Sequence, residues 1–99
     1  DTGVSGKTSQ KIGLKMKQLA QQGCQVLCVT HAAQIAALAD AHYLISKKEE
    51  DGRTTTQVQL LDESGRIEEL SRILGGIHIT NSVRQTAREM LHTVAPTSK

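Results

Sequence analysis

The chain has 99 residues, a formal charge of +2, one Tyr and neither Phe nor Trp. That length fits one domain, but a core of Leu, Ile, Val, Ala and Met without aromatic bulk is thin for an independent unit. The mildly basic balance permits a nucleic-acid partner without requiring one, and no apolar run approaches the ~20 residues that a membrane span needs.

Two cysteines do not make a disulfide framework. On a strand, Cys24 and Cys28 would share a side yet stand about 13 Å apart, too far to bridge. A reducing, cytoplasmic setting is expected. The chain opens at Asp1 with neither a Met nor a signal-like segment. With so thin a core, the expectation is a piece of a larger protein.

Residues 1–6 read as a loop that leads into a helix over 7–22, whose apolar face is Ile12, Met16, Leu19 and Ala20. Gly23 suits the left-handed position just past its end. Residues 25–30, with Val26, Leu27, Cys28 and Val29 apolar in succession, predict a strand buried on both faces of a parallel sheet. It ends in Thr30 and His31. In open α/β sheets ligands meet the carboxyl ends of strands, so His31 is the first candidate for chemistry.

Residues 32–39 are small and apolar and predict a short, closely packed helix. A strand over 42–48, a polar turn over 49–52 and a return strand over 53–62 predict an antiparallel hairpin attached to the parallel sheet. The Thr/Gln/Val alternation of its second strand predicts one wet face. Residues 63–65 read as a turn. Ile67, Leu70, Ile73 and Leu74 mark a short helix stopped by Gly75 and Gly76. The last helix carries Val83, Ala87, Met90, Leu91 and Val94 on one face, with Thr80 or Ser82 as its cap.

Gly6-Lys7-Thr8 resembles the end of a phosphate-binding P-loop, but the motif needs its first Gly five residues before Gly6, where Asp1 stands. The simpler reading places Lys7 and Thr8 in the first helical turn. Cys24, Cys28 and His31 match no common zinc spacing, and no metal site is expected. Lys7, Lys11 and Lys15 form a stripe readable as a contact to a nucleic-acid backbone or as a solvated helix face, and the latter is favoured.

Residues 1–6, the run from Val26 to Lys47 and the segment from Arg66 to Gly76 together resemble the C-terminal end of the RecN family, bacterial DNA repair proteins of the SMC-like branch of ABC ATPases. The resemblance spans residues 1 to about 94. It implies an α/β fold, part of a P-loop ABC-type ATPase head. Parallel strands flanked by helices, the hairpin and C-terminal helices would form one partial lobe over 1–95, followed by a tail over 96–99. It also implies ATP and Mg2+ as cofactors of the whole protein. The implied partners are the N-terminal lobe of the same head, a second copy across the ATP site, DNA ends and a RecA-type recombinase, in the cytoplasm at the nucleoid.

By that resemblance, Asp1, Thr2, Gly3, Val4 and Ser5 form the D-loop, with Ser5 where Asp is usual, and Thr30 and His31 form the H-loop. His31 would be the switch histidine that meets the γ-phosphate. The carboxylate expected to act as general base, the Walker B Glu, is not in this chain, so the fragment alone is expected to be inactive. Two other readings remain open: a DNA-binding or protein-docking module, and a small nucleotide kinase or NTPase using Gly6, Lys7 and Thr8.

Overall fold

The computed structural model describes residues 6–93. Its elements are α1 (Gly6–Gln21), α2 (Ala33–Ala36), β1 (Tyr43–Glu50), β2 (Arg53–Leu60), α3 (Glu63–Gly75) and α4 (Asn81–Thr93). It is an α/β arrangement in which α1 packs on α2, α2 on α3 and α3 on α4, with one two-stranded antiparallel sheet.

α1 ends as expected. Gly23 takes φ 99°, its N–H donates to the Ala20 carbonyl, and the Cys24 N–H donates to the Leu19 carbonyl. This paired closure satisfies the last carbonyls of the helix. The inward face of α1 differs from the expected one. Ile12 and Leu19 are 43% and 40% exposed, whereas Ser9 and Gly13 are buried. The cause is a close approach to α2: a Cβ at Gly13 would stand 2.6 Å from Leu38 Cδ1 and 3.5 Å from Ile35 Cα. Small residues let the two backbones meet, and the bulky residues are left at the margins.

Residues 25–30 do not form a strand. The segment is irregular, and Leu27 and Val29 are 87% and 89% exposed. A strand of this composition needs a neighbour along its edge and cover on its faces. Among the described residues the only other strands pair with each other. The expected parallel sheet is therefore absent from the described residues, and the hairpin is attached to none.

The expected short helix shrinks to the single turn of α2, but its small residues pack as expected: Ala33, Ala36, Ala37 and Leu38 are all buried. The hairpin is longer than expected on its first strand. β1 continues through Glu49 and Glu50, and the turn is only Asp51 and Gly52, at φ 52° and 74°. Two consecutive positive φ values suit the tight Asp-Gly turn that matches strand twist. Tyr43 pairs with Leu60 and Ile45 with Val58, which gathers four apolar side chains on one face. All four are more than half exposed, so the hairpin has no buried face to set against a wet one.

α3 begins at Glu63, where a turn was expected. Asp62 caps it, its Oδ1 accepting the Gly65 N–H at 2.8 Å. α4 follows the expected pattern as far as Leu91, Val94 lying outside the described residues, with Thr80 as its cap: Thr80 Oγ1 accepts the Val83 N–H at 3.1 Å. Ala87 and Leu91 are buried and Met90 packs beside them. With Ala33, Ala36, Ala37, Ile67 and Leu70 they make one small core between α2, α3 and α4. Two surface pairs brace the α3–α4 contact: Arg84 Nε to Glu68 Oε2 and His92 Nε2 to Glu63 Oε2, each at 2.8 Å.

Candidate functional site

Thr30 and His31 lie at the end of the extended apolar segment, immediately before α2. Thr30 is half-buried, and its Oγ1 accepts the Ala32 N–H at 2.9 Å. That short loop closure turns the chain from the extended segment into α2. His31, the next residue, is exposed. A surface imidazole at a bend can donate a ring N–H to an anionic oxygen, and the bond strengthens if the ring is protonated.

α2 carries this bend up to the start of α1. A Cβ at Gly6 would come within 3.0 Å of Gln34 Nε2, so the Gln34 amide lies against the first residue of α1. The side chain of Gln34 in α2 thus reaches the N-terminal end of α1, although 28 positions separate Gly6 from Gln34. The five remaining expected site residues, Asp1, Thr2, Gly3, Val4 and Ser5, lie outside the described residues. Gly6, Lys7 and Thr8 open α1, with Lys7 and Thr8 in its first turn, the simpler of the two readings of that tripeptide.

Cys24 and Cys28 are free thiols and exposed, not buried as a central strand would make them. Among the described residues no three His, Cys, Asp or Glu side chains converge as metal ligands. The side chains at this bend are an exposed imidazole and a hydroxyl that already accepts the Ala32 N–H. Any Mg2+ would need carboxylates from elsewhere.

A second feature was not legible in the sequence. An open cleft of about 330 Å³ lies where α1 to α4 meet, lined among others by Lys17, Leu38, Arg66, Leu91 and His92. Its charged groups are already occupied. Lys17 Nζ bonds Asp40 at 2.6 Å, Arg66 donates to the Ala36 and Ala39 carbonyls, and His92 meets Glu63. His42 is half-buried nearby, next to the Arg66 charge. Burial, then that charge, hold its pKa below the usual 6.5. None of the expected site residues lines the cleft, and the buried Nε of Arg66 has no hydrogen-bond partner.

No family model matches the chain. Curated relatives do. The chain is 44% identical over 91 residues to the DNA repair protein RecN of Halalkalibacterium halodurans, 43% to that of Bacillus subtilis and 41% to that of Vibrio cholerae. Each match covers 92% of this chain and 16% of the relative. The chain therefore spans about a sixth of the length of the curated relatives it matches.

Proposed function

The chain is a RecN-type segment, matching the C-terminal part of those proteins, and from that premise we propose that it is the C-terminal portion of an ATPase head acting in DNA repair. In this reading residues 1–5 are the D-loop, Thr30 and His31 are the H-loop, and the site they enter is completed by the rest of the head and by a second copy. ATP and Mg2+ bind only in that assembly. The DNA ends and the RecA-type recombinase are partners of the whole protein.

One observation carries the reading. His31 is exposed at the bend just before α2, and Gln34, three residues further on, lays its amide against Gly6, where the proposed D-loop enters α1; this supports the reading. Phosphoryl transfer depends on positioning and on stabilising charge spread over the phosphate oxygens. An imidazole N–H held at such a bend suits that task, and it needs no proton abstraction by His31.

The exposed apolar surfaces agree with a missing cover. Leu27 and Val29 project from the extended segment, and Tyr43, Ile45, Val58 and Leu60 share one hairpin face. Such surface is ordinarily buried against more protein. In the proposed head, residues 25–30 would become the buried strand that their composition suits, covered by the N-terminal lobe.

The test is His31→Ala in a longer protein containing this segment. Nucleotide binding should hold within a few-fold while hydrolysis falls by roughly 10-fold or more, the pattern of a lost transition-state contact. Unchanged turnover would remove His31 from the mechanism. The 99-residue chain alone should show neither tight ATP binding nor turnover.

A further inference from the structure

The charges of this chain are segregated. Residues 2–39 hold four Lys and no Asp or Glu, while nine of the ten carboxylate side chains fall at position 40 or later. Lys17 is tied to Asp40. The other three, Lys7, Lys11 and Lys15, are exposed and take part in no ion pair among the described residues.

Their placement on α1 follows from its buried face. Ser9, Gly13, Met16 and Ala20 point toward α2 or are partly covered. At about 100° per residue, Lys7, Lys11 and Lys15 lie on the opposite side, and Gln18 continues the same row. The row runs about 16 Å along a straight helix, at roughly 1.5 Å of rise per residue. Every side chain in it can donate hydrogen bonds, and none carries negative charge.

We propose that this row is a docking surface for the phosphate backbone of double-stranded DNA, bound without reading its sequence. Duplex DNA presents a line of charge at about 1.7 Å intervals along its axis, and neutralising it releases condensed counterions. A row of ammonium groups on a rigid helix, backed by a neutral amide donor, is complementary to such a line. Single-stranded nucleic acid is less well suited, because it is held by aromatic stacking platforms. α1 carries neither Phe, Tyr, Trp nor His; the one such ring besides the four His of the chain is Tyr43, on β1.

The proposal does not depend on the ATP-site reading, since its test contains no nucleotide. The 99-residue chain is titrated with a short labelled DNA duplex, by anisotropy, from low to physiological salt. Each phosphate contact contributes about 0.9 to the slope of log affinity against log salt, so K7Q/K11Q/K15Q should lower that slope by about 2.7. Over a fourfold rise in salt, the parent should lose about 40-fold more affinity than the variant does. The three positions lie opposite the buried face, so helicity by circular dichroism should be unchanged. K7R/K11R/K15R should keep the binding, and K47Q/K48Q, which removes charge from the hairpin, should leave the slope as it was. An unchanged slope in the α1 variant would overturn the proposal. So would an equal loss in the hairpin variant, no duplex binding at low salt, or Lys-dependent binding to anionic phospholipid vesicles without binding to DNA.

Discussion

Arg66, in α3, donates from Nη2 to the carbonyl oxygen of Ala39 at 2.9 Å, and the same nitrogen lies 3.1 Å from the carbonyl oxygen of Ala36. α2 is a single turn whose Ala36 carbonyl accepts the Ala39 N–H at 3.3 Å, and a side chain 30 and 27 positions away adds a second donor there and serves the Ala39 carbonyl just beyond it. One guanidinium nitrogen carries two N–H groups, one for each carbonyl, and the planar head is held in place with less loss of freedom than a Lys ammonium. Arg66→Met should lower unfolding free energy by about 1–3 kcal/mol, the usual cost of losing charged hydrogen bonds. Arg66→Lys should fall between Met and the parent. Urea unfolding midpoints check both. A Met variant as stable as the parent would mean that water serves those carbonyls equally well.

Gly13 decides how closely α1 approaches α2. Gly13→Ala gains about 1 kcal/mol of helix propensity, but its methyl would overlap Leu38, which is 3% exposed and has little room to move. Overpacking of this kind costs about 1–3 kcal/mol, so the Ala variant should be close to neutral or mildly destabilised. Gly13→Val adds a branched side chain toward Ile35 and should destabilise by more than about 2 kcal/mol. Thermal unfolding by circular dichroism separates the two. If Val is tolerated as well as Ala, the packing of α1 on α2 is looser than described here.

His42 makes stability depend on pH. Burial is the larger cause of its lowered pKa and the Arg66 charge the smaller, with Glu69 pulling weakly the other way. The buried Nδ1 has no hydrogen-bond partner, so protonating it would place an N–H against no acceptor. Between the lowered folded value and 6.5 the unfolded chain binds the proton that the folded chain refuses. The His42 contribution is thus fully present above pH 6.5. It declines as pH falls below 6.5 and levels off once the folded ring also protonates. Denaturant midpoints for the parent and for His42→Gln should run parallel above pH 6.5, and below it the parent's should fall relative to the variant's until the folded ring also protonates. Curves that stay parallel below pH 6.5 would show that the ring titrates as if unfolded.

The sequence is legible where structure is local. Thr80 and the Ala87–Leu91 spacing locate α4, Gly23 ends α1, and Asp51-Gly52 marks a tight turn. The start of α3 was also within reach, because Asp62 followed by Glu63 is a cap signal, though Ser64 and Gly65 read more readily as a loop. The inward face of α1 was hidden because hydropathy weights Ile12 and Leu19 above Ser9 and Gly13, whereas close helix contact selects small residues. The contacts of Arg66 and His92 span nearly thirty positions and leave no local pattern. Residues 25–30 are the instructive case: their composition suits a buried strand, but a strand also needs partners, and among the described residues it has none.

That last contrast yields a prediction with opposite signs in two contexts. In the 99-residue chain Leu27 and Val29 are almost fully exposed. Replacing both with Ser should change its stability by less than about 0.5 kcal/mol, as for ordinary surface positions, and should reduce self-association by removing apolar surface. If the same segment is a central strand in a longer protein, each substitution there removes a buried aliphatic side chain and buries a hydroxyl. The pair should then cost several kcal/mol, on the order of 2–5 for each truncated residue. Unfolding of both proteins with and without the double substitution measures the difference directly. A large loss in the short chain would mean that residues 25–30 are already covered there. A negligible loss in the longer protein would mean that they never become a strand at all, and His31 would then lose the sheet edge from which it is proposed to reach a phosphate.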